Sequence, residues 1–210
     1  MRKVLTIAYD FPPRRTSGVY RNTNLTKHVS ALGWRPTILS AKERPGVLED
    51  RSLLRDFPIE IQVERTRDLN ISGWEKKAET GIRAAGGLRS DNRETRQPFW
   101  DRWIRSAGHW VRSAAYFPDD TVGWIPAALA RAIELHMQHR FDLVYTTSPP
   151  RSALVIGLLL KRCLGIPWVA EFQDPWYPPS RPWRRWSERA LLCPILTTAD
   201  AVITTCKGLA

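Results

Sequence analysis

The stretch from Asp142 to Trp176 constrains this chain most, because it reads as one complete strand–helix–strand unit. Residues 142–147 carry the β-branched and aromatic bias of a short buried strand, and Ser148-Pro149-Pro150 ends it. Arg151 to Gly165 is rich in Ala, Leu, Ile and Lys, with Ser152 near its start and Gly165 just past its end, and predicts a helix. Residues 166–172 predict a second strand that runs into Gln173-Asp174-Pro175-Trp176. A right-handed crossover makes the two strands parallel, so the Ser148 and Asp174 loops leave the sheet on one edge. Open α/β sheets hold their ligands on that edge. The apolar run inside the helix is far shorter than the roughly 20 residues of a bilayer span, which predicts packing against the sheet.

The chain opens in the same style. Residues 3–9 predict a strand covered on both faces, followed by a loop over 10–19 and a helix from Tyr20 to Leu32. Leu25, Val29 and Leu32 share one face of that helix, Gly33 stops it, and residues 36–40 predict the next strand. This is a βαβ opening of nucleotide-binding type without the G-x-G-x-x-G spacing of a dinucleotide site. Gly18 either lets backbone N–H groups approach a phosphate or serves only a turn, and the loop alone leaves both readings open.

Alternating Ile59, Ile61 and Val63 predict an edge strand over 58–65, after which the apolar pattern weakens through Gln97, as in a mobile loop or frayed helix. From Phe99 to Phe117 helical spacing returns with Trp100, Trp103, Ile104, Ala107, Trp110 and Val111, while Arg105 and Arg112 lie largely off that stripe. Trp100, Trp103, Arg105, Trp110 and Arg112 are therefore candidates for an anionic membrane surface; packing of the tryptophans against the sheet is the competing reading.

Asp119 and Asp120 precede a predicted helix over 124–139, where N-capping accounts for them better than a metal. His136, His139 and Arg140 are expected to complement the negative end of that helix. Arginines and tryptophans interleave from Pro178 to Arg189, which predicts a solvated surface, and residues 199–205 predict the last strand. The chain stops at Ala210, where an α/β fold would place another helix.

The formal charge of +11 points to an anionic partner without naming it, and no zinc-finger, RNP or helix-turn-helix pattern supports nucleic acid. Cys163, Cys193 and Cys206 lack metal or disulfide spacing and read as reduced thiols. With no signal sequence at Met1 and no stretch of spanning length, the expected location is cytoplasmic, with the inner face of the membrane as a peripheral option. G-x-S-x-G, Walker A and H-E-x-x-H motifs are all missing, which leaves hydrolase, NTPase and zinc-protease readings without residues.

Taken together, the chain resembles the amino-terminal half of a GT-B glycosyltransferase of family 4. The resemblance rests on Phe11-Pro12-Pro13 with Ser17 to Arg21, Pro118-Asp119 with Gly123-Trp124, Thr147 to Pro150 with Gly157 to Lys161, and Pro167 to Ala170 with Phe172 and Asp174-Pro175-Trp176. Residues 199–204 and 208–210 close the match. It implies one Rossmann-like α/β domain over 1–210, with a mostly parallel sheet, three layers and a variable Arg/Trp-rich insertion at 66–117. A donor-binding domain would face it across a cleft and is not part of these 210 residues. The resemblance places Ser17, Gly18 and Arg21 near the donor's phosphates and sugar, and Ser148 and Asp174 on the acceptor side. An Asx turn before Pro175 is the other reading of Asp174.

The resemblance further implies a nucleotide-sugar donor, no metal or other cofactor, and a glycan or lipid-linked acceptor in envelope or exopolysaccharide assembly. It departs from the family where Arg15 and Thr16 replace a common glycine pair and where Gln173 replaces an arginine. Little or no activity is expected of the chain alone, as a truncated or split enzyme, because nucleotide binding would draw on groups it does not possess. A separate partner chain carrying the donor-binding domain, or self-association through an exposed inter-domain surface, is expected instead. The alternative is a non-catalytic, basic, Trp-rich module that binds membrane surfaces.

Overall fold

Among the described residues, six parallel strands form one sheet in the order β3-β2-β1-β4-β5-β6. The computed structural model describes residues 1–42, 48–54, 61–69, 117–174 and 182–205. The strands are β1 (Arg2–Ile7), β2 (Trp34–Ala41), β3 (Gln62–Thr66), β4 (Leu143–Ser148), β5 (Trp168–Phe172) and β6 (Ala201–Thr204). Between them run α1 (Ser17–Ala31), α2 (Ile125–His139), α3 (Arg151–Leu164) and α4 (Pro182–Thr198). The chain winds from β1 outward to β3, then returns to β4 beside β1 and winds outward to β6. Right-handed crossovers in opposite directions put α1 on one face and α2, α3 and α4 on the other. The Rossmann-like α/β class expected from the sequence is the one observed.

The second face holds the main core. Leu5, Ile7, Leu39, Val144, Trp168 and Ala170 of the sheet meet Ala128, Ala132, Leu154, Ile156 and Leu160 of α2 and α3. Helix α3 lies close because Gly157 has no side chain: a methyl there would overlap the Trp168 indole and come within 2.6 Å of Thr146 Cγ2. Trp168 buries its ring fully and keeps its Nε1–H satisfied by Thr146 Oγ1 at 2.9 Å. Gly165, at φ 68, ends α3 in the left-handed conformation that its sequence position predicts.

Some elements differ from the sequence reading. Helix α1 begins at Ser17 rather than Tyr20, because Thr16 is extended (φ −133) and the chain turns helical directly after it. Its buried side chains are Val19, Asn22, Thr23 and Thr26, while Leu25 and Val29 are half-buried and Leu32 is 79% exposed. The helix therefore sits rolled away from the orientation its apolar stripe suggested. Helix α4 extends to Thr198 through Pro194, well beyond the basic segment read as surface. Trp186 is 76% exposed, as such a surface requires, but Glu188 and Ile195 on the inner side are buried.

Asp119 caps a different helix from the one expected. Its carboxylate accepts from Thr121 N and Oγ1 at 3.0 and 2.6 Å, and from Ser152 N and Oγ at 2.9 and 2.7 Å. It thereby supplies the cap of α3, which Pro150 at the N-cap position cannot provide. At the far end of α2, His136 Nδ1 accepts the Phe141 N–H at 3.3 Å. Burial, then the Arg140 charge, holds His136 below its ordinary pKa. It therefore acts as a neutral acceptor rather than a cation opposing the helix dipole.

Candidate functional site

At the carboxyl edge of the sheet, β1, β4 and β5 deliver their following turns to one place. Residues on a shared face alternate along each strand, so Tyr145 and Thr147 of β4 point the same way as Glu171 of β5, towards the side of α1. Gln173 follows on that side, and its backbone N–H donates to Ser148 O at 2.9 Å, which joins the Ser148 and Asp174 loops directly. Helix α1 starts above this junction, and a methyl on Gly18 would stand 3.5 Å from Gln173 Oε1.

The centre of the cluster is Glu171, only 1% exposed. Arg21 Nε donates to Glu171 Oε1 at 2.6 Å, and Arg21 Nη2 pairs with the same oxygen. Thr147 Oγ1 donates to Oε2 at 2.8 Å, and the Tyr145 hydroxyl also bonds this carboxylate. Burial alone pushes the Glu171 pKa upward, but hydrogen bonds from Tyr145, Arg21 and Thr147 outweigh it and leave the carboxyl below its usual value. Glu171 is thus an ionised, buried group. Tyr145 is pushed strongly the other way, first by its own burial and then by the Glu171 charge, so it stays a neutral donor.

Gln173 extends the network, its Nε2 donating to Thr147 Oγ1 at 2.6 Å, Glu171 Oε2 at 3.3 Å and Asn22 Oδ1 at 3.4 Å. Asn22 in turn donates to Asp10 O at 3.3 Å. The loop after β1 is anchored by buried Arg14, which donates to Asp10 Oδ1 at 2.6 Å and to Lys42 O, and whose guanidinium lies 5.1 Å from the Tyr9 ring centroid. Arg15 is exposed beside the start of α1.

Ser17, Gly18 and Arg21 therefore lie on the first turns of α1, Ser148 at the end of β4, and Asp174 just past β5, all on one edge. Ser17 and Asp174 are exposed, Ser148 is buried, and Arg21 is 45% exposed but already paired with Glu171. Gly18 lies inside the helix at an ordinary φ, and the space for a methyl is an unstrained contact. Neither a turn nor packing accounts for glycine at this position. The first turn of α1 has no acidic residue and no side-chain cap; Val19 N–H bonds Thr16 O at 3.1 Å, which leaves the N–H groups of Ser17 and Gly18 as donors at the edge.

Trp100, Trp103, Arg105, Trp110 and Arg112 lie outside the described residues. Among the described residues no His/Cys/Asp/Glu group is arranged to hold a metal, and no helix is long and apolar enough to cross a membrane. Sequence reasoning missed Glu171, Thr147, Asn22 and Gln173 as a connected set. The available signal was a carboxylate in a strand otherwise apolar, Trp168-Val-Ala-Glu-Phe172, which a buried position tolerates only with partners.

The family described as glycosyl transferase 4-like domain matches residues 18–210. Among solved structures, sucrose-phosphate synthase from Thermosynechococcus elongatus is similar over 96% of this chain and 42% of its own, at 11% identity and a TM-score of 0.50. A second structure of that synthase matches over 99% of this chain and 78% of its own, at 14% identity and a TM-score of 0.50. The glycosyltransferase SsfS6 of Streptomyces sp. SF2575, complexed with thymidine diphosphate, is similar over 97% of this chain and 48% of its own, at 15% identity and a TM-score of 0.45. This chain thus spans less than half the length of the first synthase structure. No curated protein matches the sequence.

Proposed function

The chain belongs to the glycosyl transferase 4-like domain family, and from that premise we propose that it forms the acceptor-side wall of a glycosyltransferase cleft. The donor is a nucleotide-sugar, used without a metal, and the acceptor a glycan or lipid-linked glycan of envelope or exopolysaccharide assembly. The observation that carries this reading is Gly18, a helical glycine that the fold itself does not require, set at an uncapped helix start beside the Ser148 and Asp174 loops. A bare helix N-terminus, here the N–H groups of Ser17 and Gly18, gives a diphosphate donors at close range. In this reading Asp174, exposed across the edge, accepts from an acceptor hydroxyl.

The Glu171–Arg21 pair organises this wall without supplying a free positive charge, so the countercharge for the leaving diphosphate comes mainly from the opposite wall. On its own the 210-residue chain is therefore expected to turn over little or no nucleotide-sugar, since an open wall cannot exclude water from the reacting centre. The test supplies a GT-B donor-binding domain as a second chain and follows label from a set of nucleotide-sugars into extracted glycan and lipid acceptors. Transfer that needs both chains, and that falls at least 100-fold in Gly18→Val while circular dichroism is unchanged, supports the proposal. Turnover by the isolated chain, or full activity of Gly18→Val, overturns it.

A further inference from the structure

We propose that a second site, on the α1 face of the sheet below the cleft edge, binds the acyl chain of a single-chain anionic amphiphile, the chemistry of a long-chain fatty acid. It is the trough left open by the roll of α1. Leu25, Val29 and Leu32 form one wall, and the sheet face carrying Val4, Leu143 and Val169 forms the floor, with Ile203 of the edge strand at the far side. The trough encloses about 270 Å³. For scale, an apolar cavity of ~150 Å³ accepts one benzene, so an aliphatic segment about twice that size fits.

The polar inventory excludes a sugar or nucleotide here. Thr26 turns its hydroxyl back to Asn22 O at 2.7 Å and Tyr145 commits its own to Glu171, which leaves the single hydroxyl of Thr6, too little for a polyhydroxylated guest. What remains is an apolar surface on a helix whose buried side is the polar one, a pattern that calls for an apolar occupant.

Charge at the mouth selects the head group. The trough runs down to the amino-terminal ends of the strands, opposite the cleft edge, where the Arg2 guanidinium lies 5.6 Å from the centroid of the Trp34 ring that lines it. Arg140 is exposed at these same ends, whereas Arg35, between Trp34 and Pro36 on β2, belongs to the other face of the sheet. The carboxylates there are engaged: Asp142 accepts the Lys3 N–H at 2.7 Å, and Asp200 holds Lys161 at 2.8 Å and the Trp168 N–H at 2.7 Å. A chain in the trough with a carboxylate beside Arg2 satisfies both features at once.

The test titrates the 210-residue chain with monomeric dodecanoate by calorimetry. One-to-one binding is expected, at least 10-fold weaker in Ile203→Glu, whose site is 40% exposed and so tolerates the change, and at least 10-fold weaker in Val29→Trp, which fills the trough. The variant Arg2→Glu should bind several-fold more weakly and lose its dependence on salt. No binding, binding indifferent to Ile203→Glu, or binding only to vesicles of anionic phospholipid overturns the assignment. So does a dimer that dissociates in Val29→Trp, which gives the trough to a second copy. None of these readouts involves sugar transfer, so the outcome is independent of the cleft proposal.

Discussion

Two residues separate structural demand from chemical use. Gly18→Ala places a methyl in ordinary contact with Gln173 and removes the helix cost of glycine, so unfolding in urea should show unchanged or slightly greater stability, by about 0.5 kcal/mol. Donor handling by the assembled cleft should nonetheless fall. Arg21→Ala leaves the Glu171 carboxylate buried without its cation. The expected cost is about 2 kcal/mol, below the ~3–5 typical of breaking a fully buried pair because the guanidinium is half exposed. In the native chain the depressed Glu171 pKa contributes stability above its ordinary value of 4.5, which is lost as pH falls through the lower folded value. Without Arg21 the Tyr145 and Thr147 hydrogen bonds still oppose burial, but the folded pKa rises, so the stability lost on acidification below pH 4.5 becomes smaller. Urea titrations of both proteins between pH 3 and 7 measure that change of slope.

Helices and strands show where local pattern sufficed and where it failed. The unit from β4 to β5 was legible because strand, helix and stop signals agree along one continuous segment. The roll of α1 was not, because Leu25, Val29 and Leu32 mark an apolar stripe without saying what covers it, whereas the buried side carries Asn22, bonded to Asp10 and Gln173, with Thr23 and with Thr26, whose hydroxyl turns back to its own helix. Helix α4 was obscured by its arginines and Pro194, although Glu188, Leu191, Leu192 and Ile195 carry helical spacing on the side facing α3. Two substitutions probe these elements. Gly157→Ala forces α3 off the sheet and should cost about 3 kcal/mol of stability, read from its urea midpoint. Asp119→Ala removes the cap that α3 receives from outside its own sequence and should cost about 1–2 kcal/mol.

At the level of the whole molecule, the winding order puts β1 and β4 at the centre of the sheet and β3 and β6 at its borders. Amide exchange should accordingly be slowest in β1 and β4 and fastest in β6, whose Val202 and Ile203 are each 40% exposed. Equal protection across all six strands would contradict this ranking. The clustering of Gly18, Ser148 and Asp174 could be anticipated, since parallel strands must release their turns on one side. The set around Glu171 could not, because sequence spacing does not show that α1 and β5 meet across 150 positions. That meeting has a consequence for how ligand preference can change. With Arg21 answered by Glu171, the seat above β5 is nearly electroneutral before anything arrives. A single exchange at position 171 to an uncharged residue would release a guanidinium into it, so one codon separates a seat tuned to hydroxyl-rich guests from one that favours anions.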